Sequence, residues 1–456
     1  MKMNAKPKGL CTHQGGPAKH ITPEQELRRT VMTCLLWENT AYESGQSVAK
    51  RISDIVPLCT PEFVRDLAIG AREDMKLRHA PMWIALSMLK SSAHKPYVAD
   101  VLHNVIRRPD ELCECLSMYW ANGRTPVAAQ VKRGLAAAFR KFNAYQLQKW
   151  NKQREIKLRD VLRICHPTPK DNDQAILWRQ LLDGKLPPAG TWEERLSVPG
   201  ADKRAVWTDM LVNNELGASA LLQNLRNMTS AGVDEKLIRS ALKTMRTEKV
   251  LPFRFITAAR VAPHLEDVLE QTMFGCLENM PKIPGETVLL VDVSGSMDRK
   301  LSDKSELTRL DAATGLGMLL REVCESVVII TFSRNMVRIP ARRGFALAEA
   351  IRRSQPHLAT FLGTTVKAVY GTGKIETYLP SRRETVRFNG LGLNPDRLIS
   401  LTDEQSNDPV PDPKGRGYMI NVASFKNGVG YHPWIHIDGW SEHVISWLGA
   451  FEDSGF

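Results

Sequence analysis

Residues 287–296 read TVLLVDVSGS, and this stretch decides the fold of the C-terminal part of the chain. Its apolar run is typical of a strand buried on both faces of a parallel sheet. Further along, the sequence predicts helices at about 305–324, at 345–354 and after Gly363, and strands at 327–332, 397–401, 418–423 and 434–437, followed by a helix from Ser441. Strands that alternate with helices predict a doubly wound, mostly parallel α/β sheet.

The motif Asp292-Val293-Ser294-Gly295-Ser296 lies where this first strand ends. Open α/β sheets bind their ligands at the carboxyl ends of the strands. One carboxylate and two hydroxyls at alternate positions form an oxygen cradle suited to Mg²⁺ or Mn²⁺. The alternative interpretation is a helix cap or a tight turn that binds no metal. A phosphate loop is disfavoured, because no Gly-Lys-Ser/Thr follows the strand.

The chain before this strand, from about residue 22 to 280, has the pattern of consecutive helices joined by short loops. Two segments, Thr22-Pro23-Glu24-Gln25 and Thr60-Pro61-Glu62, read as helix starts in which proline follows a hydroxyl cap. Such a succession predicts stacked helix pairs, as in an α-solenoid. Residues 281–285 read as a linker, so we place a helical domain at 1–283 and an α/β domain at 284–456.

Composition and charge limit the classes of function. The 456 residues are 43% hydrophobic and 25% charged, which is typical of a soluble multidomain protein. We see no membrane span and no secretory signal, and the scattered cysteines indicate reduced thiols in a cytoplasmic protein. Residues 1–283 hold 42 Lys and Arg against 30 Asp and Glu, whereas residues 284–456 hold 20 of each. The excess positive charge therefore favours a polyanionic partner for the first part of the chain.

Most of that charge is concentrated between Arg124 and Arg163, a segment that contains eleven Lys and Arg and only two acidic residues. Tyr145 and Trp150 are interleaved with these cations, and this pattern favours phosphate contacts combined with base stacking. The alternative is an ordinary solvated helix face. The residues that we predict to bind RNA are Lys132, Arg133, Arg140, Lys141, Lys149, Lys152, Arg154, Lys157, Arg159 and Arg163.

Catalysis finds little support in the sequence. It contains no Gly-x-Ser-x-Gly motif, no paired Cys/His arrangement and no carboxylate pair with clear acid and base placement. Cys113-x-Cys115 and Cys165-His166 do not complete a four-ligand zinc set, which favours core packing. We therefore expect no catalytic residues and no enzymatic activity.

The Asp292 motif resembles the metal-ion-dependent adhesion site of von Willebrand factor A domains, whose pattern is Asp-x-Ser-x-Ser plus a distant Thr and a distant Asp. The segment FLGTT at 361–365 stands where that family has Gly-Gly-Thr, which implies Thr364, or its neighbour Thr365, as a ligand. The metal ligands that the resemblance implies are Asp292, Ser294, Ser296, Thr364 and Asp403.

The chain as a whole resembles the TROVE proteins, which are the Ro autoantigen ribonucleoproteins and their bacterial and phage relatives. Four segments are similar to the opening of that family: GGPA at 15–18, ELRR at 26–29, CLLWEN at 34–39 and YESG at 42–45. The resemblance implies a ring of HEAT-like α-helical repeats followed by a doubly wound von Willebrand factor A domain.

That resemblance also implies a function: a monomeric, cytoplasmic scaffold for noncoding RNA that acts in RNA quality control without a membrane partner. Y-like RNA is expected on the basic outer surface of the ring, and misfolded RNA with its single-stranded 3′ end passing through the hole. An exoribonuclease or another protein is expected to dock through the A domain, which carries Mg²⁺ or Mn²⁺.

Two other functions compete with this one. A protein-interaction adaptor would use the A-domain metal without binding RNA, but it has no need for so basic a helical segment. A metal-dependent phosphoryl-transfer enzyme or nuclease that uses the Asp292 site is disfavoured, because only Asp292 and Asp403 supply carboxylates and no general base is in view. The segment at 372–395 is longer than is usual in the family, and reads either as an RNA-facing hairpin or as a solvated loop.

Overall fold

The computed structural model describes residues 10–14, 16–32, 39, 43–247, 250, 253–278, 280–379, 383–423, 427–439, 444–445, 448 and 452. The chain divides into two compact units. We call Pro23–Trp37 together with Gly45–Val206 the helical unit, and Met1–Thr22, Glu38–Ser44 and Trp207–Phe456 the sheet unit. Within the described ranges, no helix combines the length and the apolar character needed to cross a membrane.

Helices make up the described chain as far as residue 275. They are α1 (Pro23–Met32), α2 (Gly45–Ile55), α3 (Pro61–Glu73), α4 (His79–Ser87), α5 (Val98–Val105), α6 (Pro109–Tyr119), α7 (Ala129–Phe139), α8 (Ala144–Trp150), α9 (Leu158–Cys165), α10 (Asn172–Asp183), α11 (Trp192–Leu196), α12 (Lys203–Val212), α13 (Ala218–Ser230), α14 (Glu235–Thr244), α15 (Phe253–Val261) and α16 (Glu266–Gly275). Short 3₁₀ helices lie at Val56–Leu58, Met88–Lys90, Lys95–Tyr97 and Pro263–Leu265.

Local sequence explains where several of these helices begin and how they pack. The side chain of Thr60 accepts from the Phe63 N–H and Pro61 follows it, so α3 starts as predicted. Within the helical unit, one apolar cluster extends from Leu27 on α1 to Leu181 on α10. Helices α5 and α7 approach closely at Gly134, where a Cβ atom would lie 2.7 Å from the Leu102 Cβ.

The sheet unit contains a six-stranded sheet and a separate hairpin. Its elements are β1 (Ile283–Asp292), α17 (Arg309–Val323), β2 (Cys324–Phe332), β3 (Met336–Arg338), α18 (Gly344–Arg352), α19 (Leu362–Tyr370), β4 (Lys374–Leu379), β5 (Glu384–Asn389), β6 (Arg397–Thr402), β7 (Arg416–Asn421) and β8 (Ile435–Asp438). The sheet order is β3-β2-β1-β6-β7-β8, with β3 antiparallel at one edge and all the other pairs parallel. The strand order reverses between β1 and β6, and ligands bind at such a reversal point in open α/β sheets.

Helices α15 and α16 belong to the same compact unit as the sheet. Gly315 on α17 allows α15 to pack closely, because a Cβ atom there would lie 2.4 Å from the Phe253 ring. On α16, the Glu270 carboxylate accepts from the backbone N–H of Phe345 at 2.6 Å. The structural unit thus extends upstream of β1, while the domain boundary at residue 283 stays a prediction from the sequence.

The fold class predicted from the sequence, a helical part followed by a doubly wound α/β part, is confirmed. The strands at 397–401, 418–423 and 434–437 appear within two residues of their predicted ends as β6, β7 and β8. Two differences stand out: β1 already begins at Ile283 within the predicted linker, and the edge strand β3 was missed. Within the segment at 372–395, β4 and β5 pair as an antiparallel hairpin, and a hairpin was one of the two forms predicted there. The start of the helix predicted from Ser441 lies outside the described residues.

Candidate functional site

The predicted metal residues from β1 and β6 meet at the carboxyl edge of the sheet. Val291 pairs with Leu401 in the parallel register, so Asp292 and Thr402 end neighbouring strands. The Thr402 hydroxyl donates to Asp292 Oδ2 at 2.6 Å, and the Ser294 N–H donates to Asp292 Oδ1 at 2.9 Å. The hydroxyls of Ser294 and Ser296 lie 3.1 Å apart. The Asp-x-Ser-x-Ser motif therefore forms a compact group of oxygen atoms around a buried carboxylate.

Asp292 is fully buried, and its environment opposes ionisation. Burial, and secondly the charge of Asp403, raise the pKa of Asp292 to about 7 despite the hydrogen bonds from Thr402 and Ser294. A carboxylate in such a position is stabilised by a nearby positive charge, whether from a metal ion or from a side chain.

Asp403 faces a cation supplied by the chain itself. Arg309, the first residue of α17, has a side chain that is 1% exposed and places Nη1 3.0 Å from Asp403 Oδ2. The same nitrogen lies 3.3 Å from the backbone carbonyl oxygen of Ser296. Sequence analysis missed Arg309, because it lies thirteen to seventeen residues beyond the members of the motif and no local signal shows that its side chain contacts them.

The principal hydrogen-bond partner of Thr364 is Asp408. Its hydroxyl and its N–H both donate to Asp408 Oδ2 at 2.6 Å, and the Gly363 N–H donates to Asp408 Oδ1 at 3.0 Å. The Ser406 hydroxyl donates to the same Oδ1 at 2.7 Å. Asp408 therefore caps the start of α19, where a negative charge is favoured by the exposed N–H groups and the helix dipole.

The five predicted ligands do not form an open cradle for a divalent ion as a set. The carboxylate of Asp403 is paired with Arg309, and the hydroxyl of Thr364 donates to Asp408. Asp292, Ser294 and Ser296 retain the arrangement that the motif predicts. Binding of Mg²⁺ or Mn²⁺ by these residues stays a prediction from the sequence.

A second polar cluster lies beside this edge, where β8 and the residue after Asp403 meet. The His436 imidazole contacts the Glu404 carboxylate through Nε2 and Asp438 Oδ2 through Nδ1 at 3.2 Å, and Tyr431 stacks on its ring at 4.1 Å. Although burial lowers the pKa of the imidazole, the charges of Asp438 and Glu404 outweigh it and raise the pKa to about 9. Because the two carboxylates face opposite nitrogens of the ring, the geometry is that of an imidazolium ion held between them rather than of a metal site.

The N-terminal segment covers part of this polar edge. The Thr12 hydroxyl donates to the Ser406 carbonyl oxygen at 2.9 Å, and the His13 N–H donates to Gln405 Oε1 at 2.6 Å. Gly16 allows the close approach, because a Cβ atom there would lie 2.3 Å from the Ser406 oxygen. Gly16 of the GGPA segment thus has a structural role, since it lies against the buried backbone of Ser406.

The residues predicted to bind RNA lie in the helical unit, on α7, α8 and α9 and the loops that follow α7 and α8. Seven of them are exposed: Lys132, Arg133, Arg140, Lys141, Lys152, Arg159 and Arg163. Lys149, Arg154 and Lys157 are half-buried. All of these cations other than Lys141 and Arg154 are compatible with contact to a polyanion.

Lys141 and Arg154 have other partners within the protein. The Lys141 ammonium donates to the carbonyl oxygens of His103 and Ile106 at the end of α5, and the partial burial of the ammonium there lowers the pKa of Lys141 to about 8. Arg154 donates to Glu114 Oε1 at 2.8 Å. Both residues stabilise helix ends or helix contacts, and their predicted contact with RNA stays a prediction.

Arginines from distant parts of the sequence join this region through one buried carboxylate. Asp110, which is 1% exposed, lies 2.6 Å from Arg78, 2.6 Å from Arg108 and 3.5 Å from Arg154. Although burial raises the pKa of the adjacent Glu114, hydrogen bonds from His79 and Arg154 outweigh it and lower the pKa to about 2. Sequence analysis missed Arg78 and Arg108, since both lie outside the basic segment and only tertiary packing brings them to it.

Aromatic rings lie among these cations. The Arg108 guanidinium stacks 3.8 Å from the centre of the Trp150 ring, and the Lys152 ammonium lies 5.6 Å from it. The Tyr145 side chain is 49% exposed, and the Lys149 ammonium lies 5.6 Å from its ring. Tyr145 is therefore the ring of this pair that offers more surface to a stacking partner.

The β4–β5 hairpin carries mixed charge. Arg387 pairs with Glu376 across the two strands at 2.7 Å, and Arg334 contacts Glu384. One face of the hairpin packs its apolar residues against Phe361 and Ala368, beside and on α19. Arg383 is described, whereas Arg382 lies outside the described residues. These ion pairs favour a solvated hairpin over an RNA-facing one.

The described cysteines are free thiols, and Cys59, Cys113, Cys115, Cys165 and Cys324 are buried. Burial raises the pKa of Cys113 and of Cys165 to about 12, which is the behaviour of packed, unreactive thiols. Cys34 lies outside the described residues.

Comparison with known proteins agrees with the order of the two parts. The family model described as TROVE domain matches residues 27–183 and 178–312. A curated protein of Caenorhabditis elegans, RNA-binding protein RO60, is 24% identical over 182 residues, which are 35% of this chain and 28% of that relative. The crystal structure of the RO (RSR) protein of Deinococcus radiodurans matches with a TM-score of 0.58 and 16% identity, over 95% of this chain and 100% of that one. The last match shows a shared fold, and the family match covers more than half of the sequence. The chain therefore belongs to the TROVE-domain family, as a Ro-like protein.

Proposed function

We propose that the protein is an RNA-binding scaffold of a Ro-like ribonucleoprotein, and that the helical unit carries the RNA. The single observation that carries this proposal is the group of exposed cations on α7 and α9 and near them, including Lys132, Arg133 and Arg140. Unopposed surface cations attract a polyanion because each phosphate contact releases condensed counterions.

The aromatic residues support the further proposal that a single-stranded RNA segment binds beside the phosphate contacts. Tyr145 offers about half of its side-chain surface, and Trp150 lies among Arg108, Lys149 and Lys152. Base stacking on exposed rings tolerates any sequence, which suits a protein that recognises RNA by shape and by unpaired ends.

The finer parts of the proposal follow from the family. The RNA would be a Y-like RNA or a misfolded noncoding RNA with a single-stranded 3′ end, and the role would be RNA quality control or processing in the cytoplasm. An exoribonuclease or another protein would dock on the A-type domain. We propose a role without catalysis, since the buried carboxylates Asp292 and Asp403 are held by hydroxyl, amide and guanidinium donors.

A binding experiment across a salt series tests the proposal. The probes are a short RNA duplex with a single-stranded 3′ tail and the same duplex with blunt ends. We expect tighter binding to the tailed RNA, with log K falling linearly against log salt. Replacing Lys132, Arg133 and Arg140 by alanine should weaken binding at least about tenfold and reduce the salt slope by about one for each lost phosphate contact.

The matched control changes three exposed cations elsewhere to alanine, namely Arg204, Arg226 and Lys236. It removes the same charge and should retain most of the affinity. Weak binding that ignores both the tail and the first set of substitutions would contradict the proposal and favour the protein-interaction adaptor.

A further inference from the structure

Arg309 is among the largest fully buried side chains of the protein. It follows Thr308, whose hydroxyl accepts from the Asp311 N–H and caps α17. Its side chain and that of Asp403 are 1% and 0% exposed. Burying a charge is costly unless it is paired and hydrogen-bonded, so the fold of this edge depends on the Arg309–Asp403 pair.

The guanidinium occupies the environment in which the resemblance places a divalent ion. Arg309 Nη1 contacts Asp403 Oδ2 and the Ser296 carbonyl oxygen, at 3.0 Å and 3.3 Å. An ion coordinated by that carboxylate oxygen would lie within a few ångströms of the guanidinium, where burial makes the repulsion of two positive charges strong. A metal ion and Arg309 in its present position therefore oppose each other.

The surrounding predicted ligands are hydrogen-bonded to protein groups without a metal ion. Asp292 accepts from the Ser294 N–H and the Thr402 hydroxyl, and Thr364 donates to Asp408. The Gln405 N–H donates to Asp403 Oδ1 at 3.2 Å, on the other side of the carboxylate from Arg309. Each of the predicted carboxylate and threonine ligands thus has protein donors or acceptors in place.

We propose that Arg309 is an internal cation that takes the role of a divalent ion at Asp403, so that this edge folds without metal and binds Mg²⁺ or Mn²⁺ weakly. The inference concerns the sheet unit and goes beyond the RNA binding proposed for the helical unit. It identifies the residue that sets the metal affinity of this adhesion-site motif.

The test measures the full chain by thermal unfolding in EDTA and in millimolar Mg²⁺, and by Mn²⁺ binding followed by electron paramagnetic resonance. We expect wild type to unfold at the same temperature with and without Mg²⁺, and to bind Mn²⁺ weakly. Arg309→Gln should unfold at a lower temperature in EDTA, regain stability with Mn²⁺, and bind Mn²⁺ at least about tenfold more tightly, because a repulsive charge is removed.

Two further variants serve as controls for the positive charge of Arg309 and for its position. Arg299→Gln removes the same charge from an exposed arginine three residues beyond Ser296, and should behave as wild type. Arg309→Lys keeps a positive charge and should keep Mn²⁺ binding weak. Tight Mn²⁺ binding by wild type, with a matching gain in unfolding temperature, would overturn the proposal even if Arg309→Gln failed to fold. So would an Arg309→Gln protein that folds and binds Mn²⁺ no more tightly than wild type.

Discussion

The carboxyl edge of the sheet and the basic surface of the helical unit differ in how their charged side chains are placed and compensated. At the sheet edge, Asp403 and Arg309 are buried and paired within the chain. On the helical unit, Lys132, Arg133 and Arg140 are exposed to solvent. Buried charges must be compensated inside the protein, whereas exposed cations are free to exchange counterions for a polyanion. The contrast fits the proposed division of roles, in which the buried pair stabilises the fold and we propose that the exposed cations bind RNA.

The largest effect that we expect is on the buried pair. Asp403→Ala leaves Arg309 buried without its carboxylate and should lower the free energy of unfolding by about 3–5 kcal/mol. Glu376→Ala, which breaks the exposed pair with Arg387, should cost at most about 1 kcal/mol. Denaturant unfolding of both variants measures the difference. Equal losses of unfolding free energy in the two variants would show that burial does not make the Arg309–Asp403 pair more important for stability than the exposed pair.

The next effect is a pH dependence at the sheet edge. The pKa of His436 is raised to about 9 in the folded protein, above its usual 6.5, so the imidazolium contributes stability below about pH 6.5. That contribution is lost as the pH rises through 9, and it amounts to about 3 kcal/mol for a shift of this size. Denaturant unfolding at pH 6 to 10 should show the fall in wild type and a flatter profile in His436→Gln. Parallel profiles would rule out His436 as the cause.

A smaller effect is expected for base stacking on the helical unit. Tyr145→Ala removes an exposed ring and should weaken binding of tailed RNA by about 1–3 kcal/mol, with little change in stability. Tyr378→Ala removes a similarly exposed ring from β4 and should leave RNA binding unchanged. Fluorescence anisotropy with tailed and blunt RNA measures both. A loss that is equal for the two RNAs would argue against stacking of an unpaired end.

The smallest effects that we expect distinguish two lysines of the basic segment, Lys141 and Lys132. Lys141→Ala removes the ammonium that donates to the carbonyl oxygens at the end of α5, and should cost about 1 kcal/mol of stability while RNA affinity stays nearly the same. Lys132→Ala, at an exposed position, should weaken RNA binding and leave the unfolding temperature unchanged. Thermal unfolding and RNA titration of the two variants measure these effects. A loss of RNA affinity in Lys141→Ala together with a loss of stability in Lys132→Ala would contradict the prediction.

Much of the sheet unit was predictable because its signals are local. The apolar run at β1, the hydroxyls of Ser294 and Ser296 and the strand that ends at Thr402 are read directly from adjacent residues. The edge strand β3 was missed because it has three residues, too few to show a period. Arg309 was missed as a site residue because its contact with Asp403 spans 94 positions of the chain.

In the helical unit, sequence alone located the basic segment but did not sort its members. Lys132 and Lys141 look alike in a charge count, and only the packing of α5 against the end of α7 gives Lys141 its backbone partners. Arg78 and Arg108 join the surface because they share the buried Asp110 with Arg154.

The sequence by itself determined the succession of helices, the doubly wound α/β part, the distribution of net charge and the family. These features depend on residue periodicity and composition, which are properties of neighbouring residues. The tertiary structure decided which charges are compensated: Arg309 at Asp403, His436 between Glu404 and Asp438, and Lys141 at the end of α5. Electrostatic pairing depends on distance and burial in three dimensions, and neither is encoded in the spacing of residues along the chain.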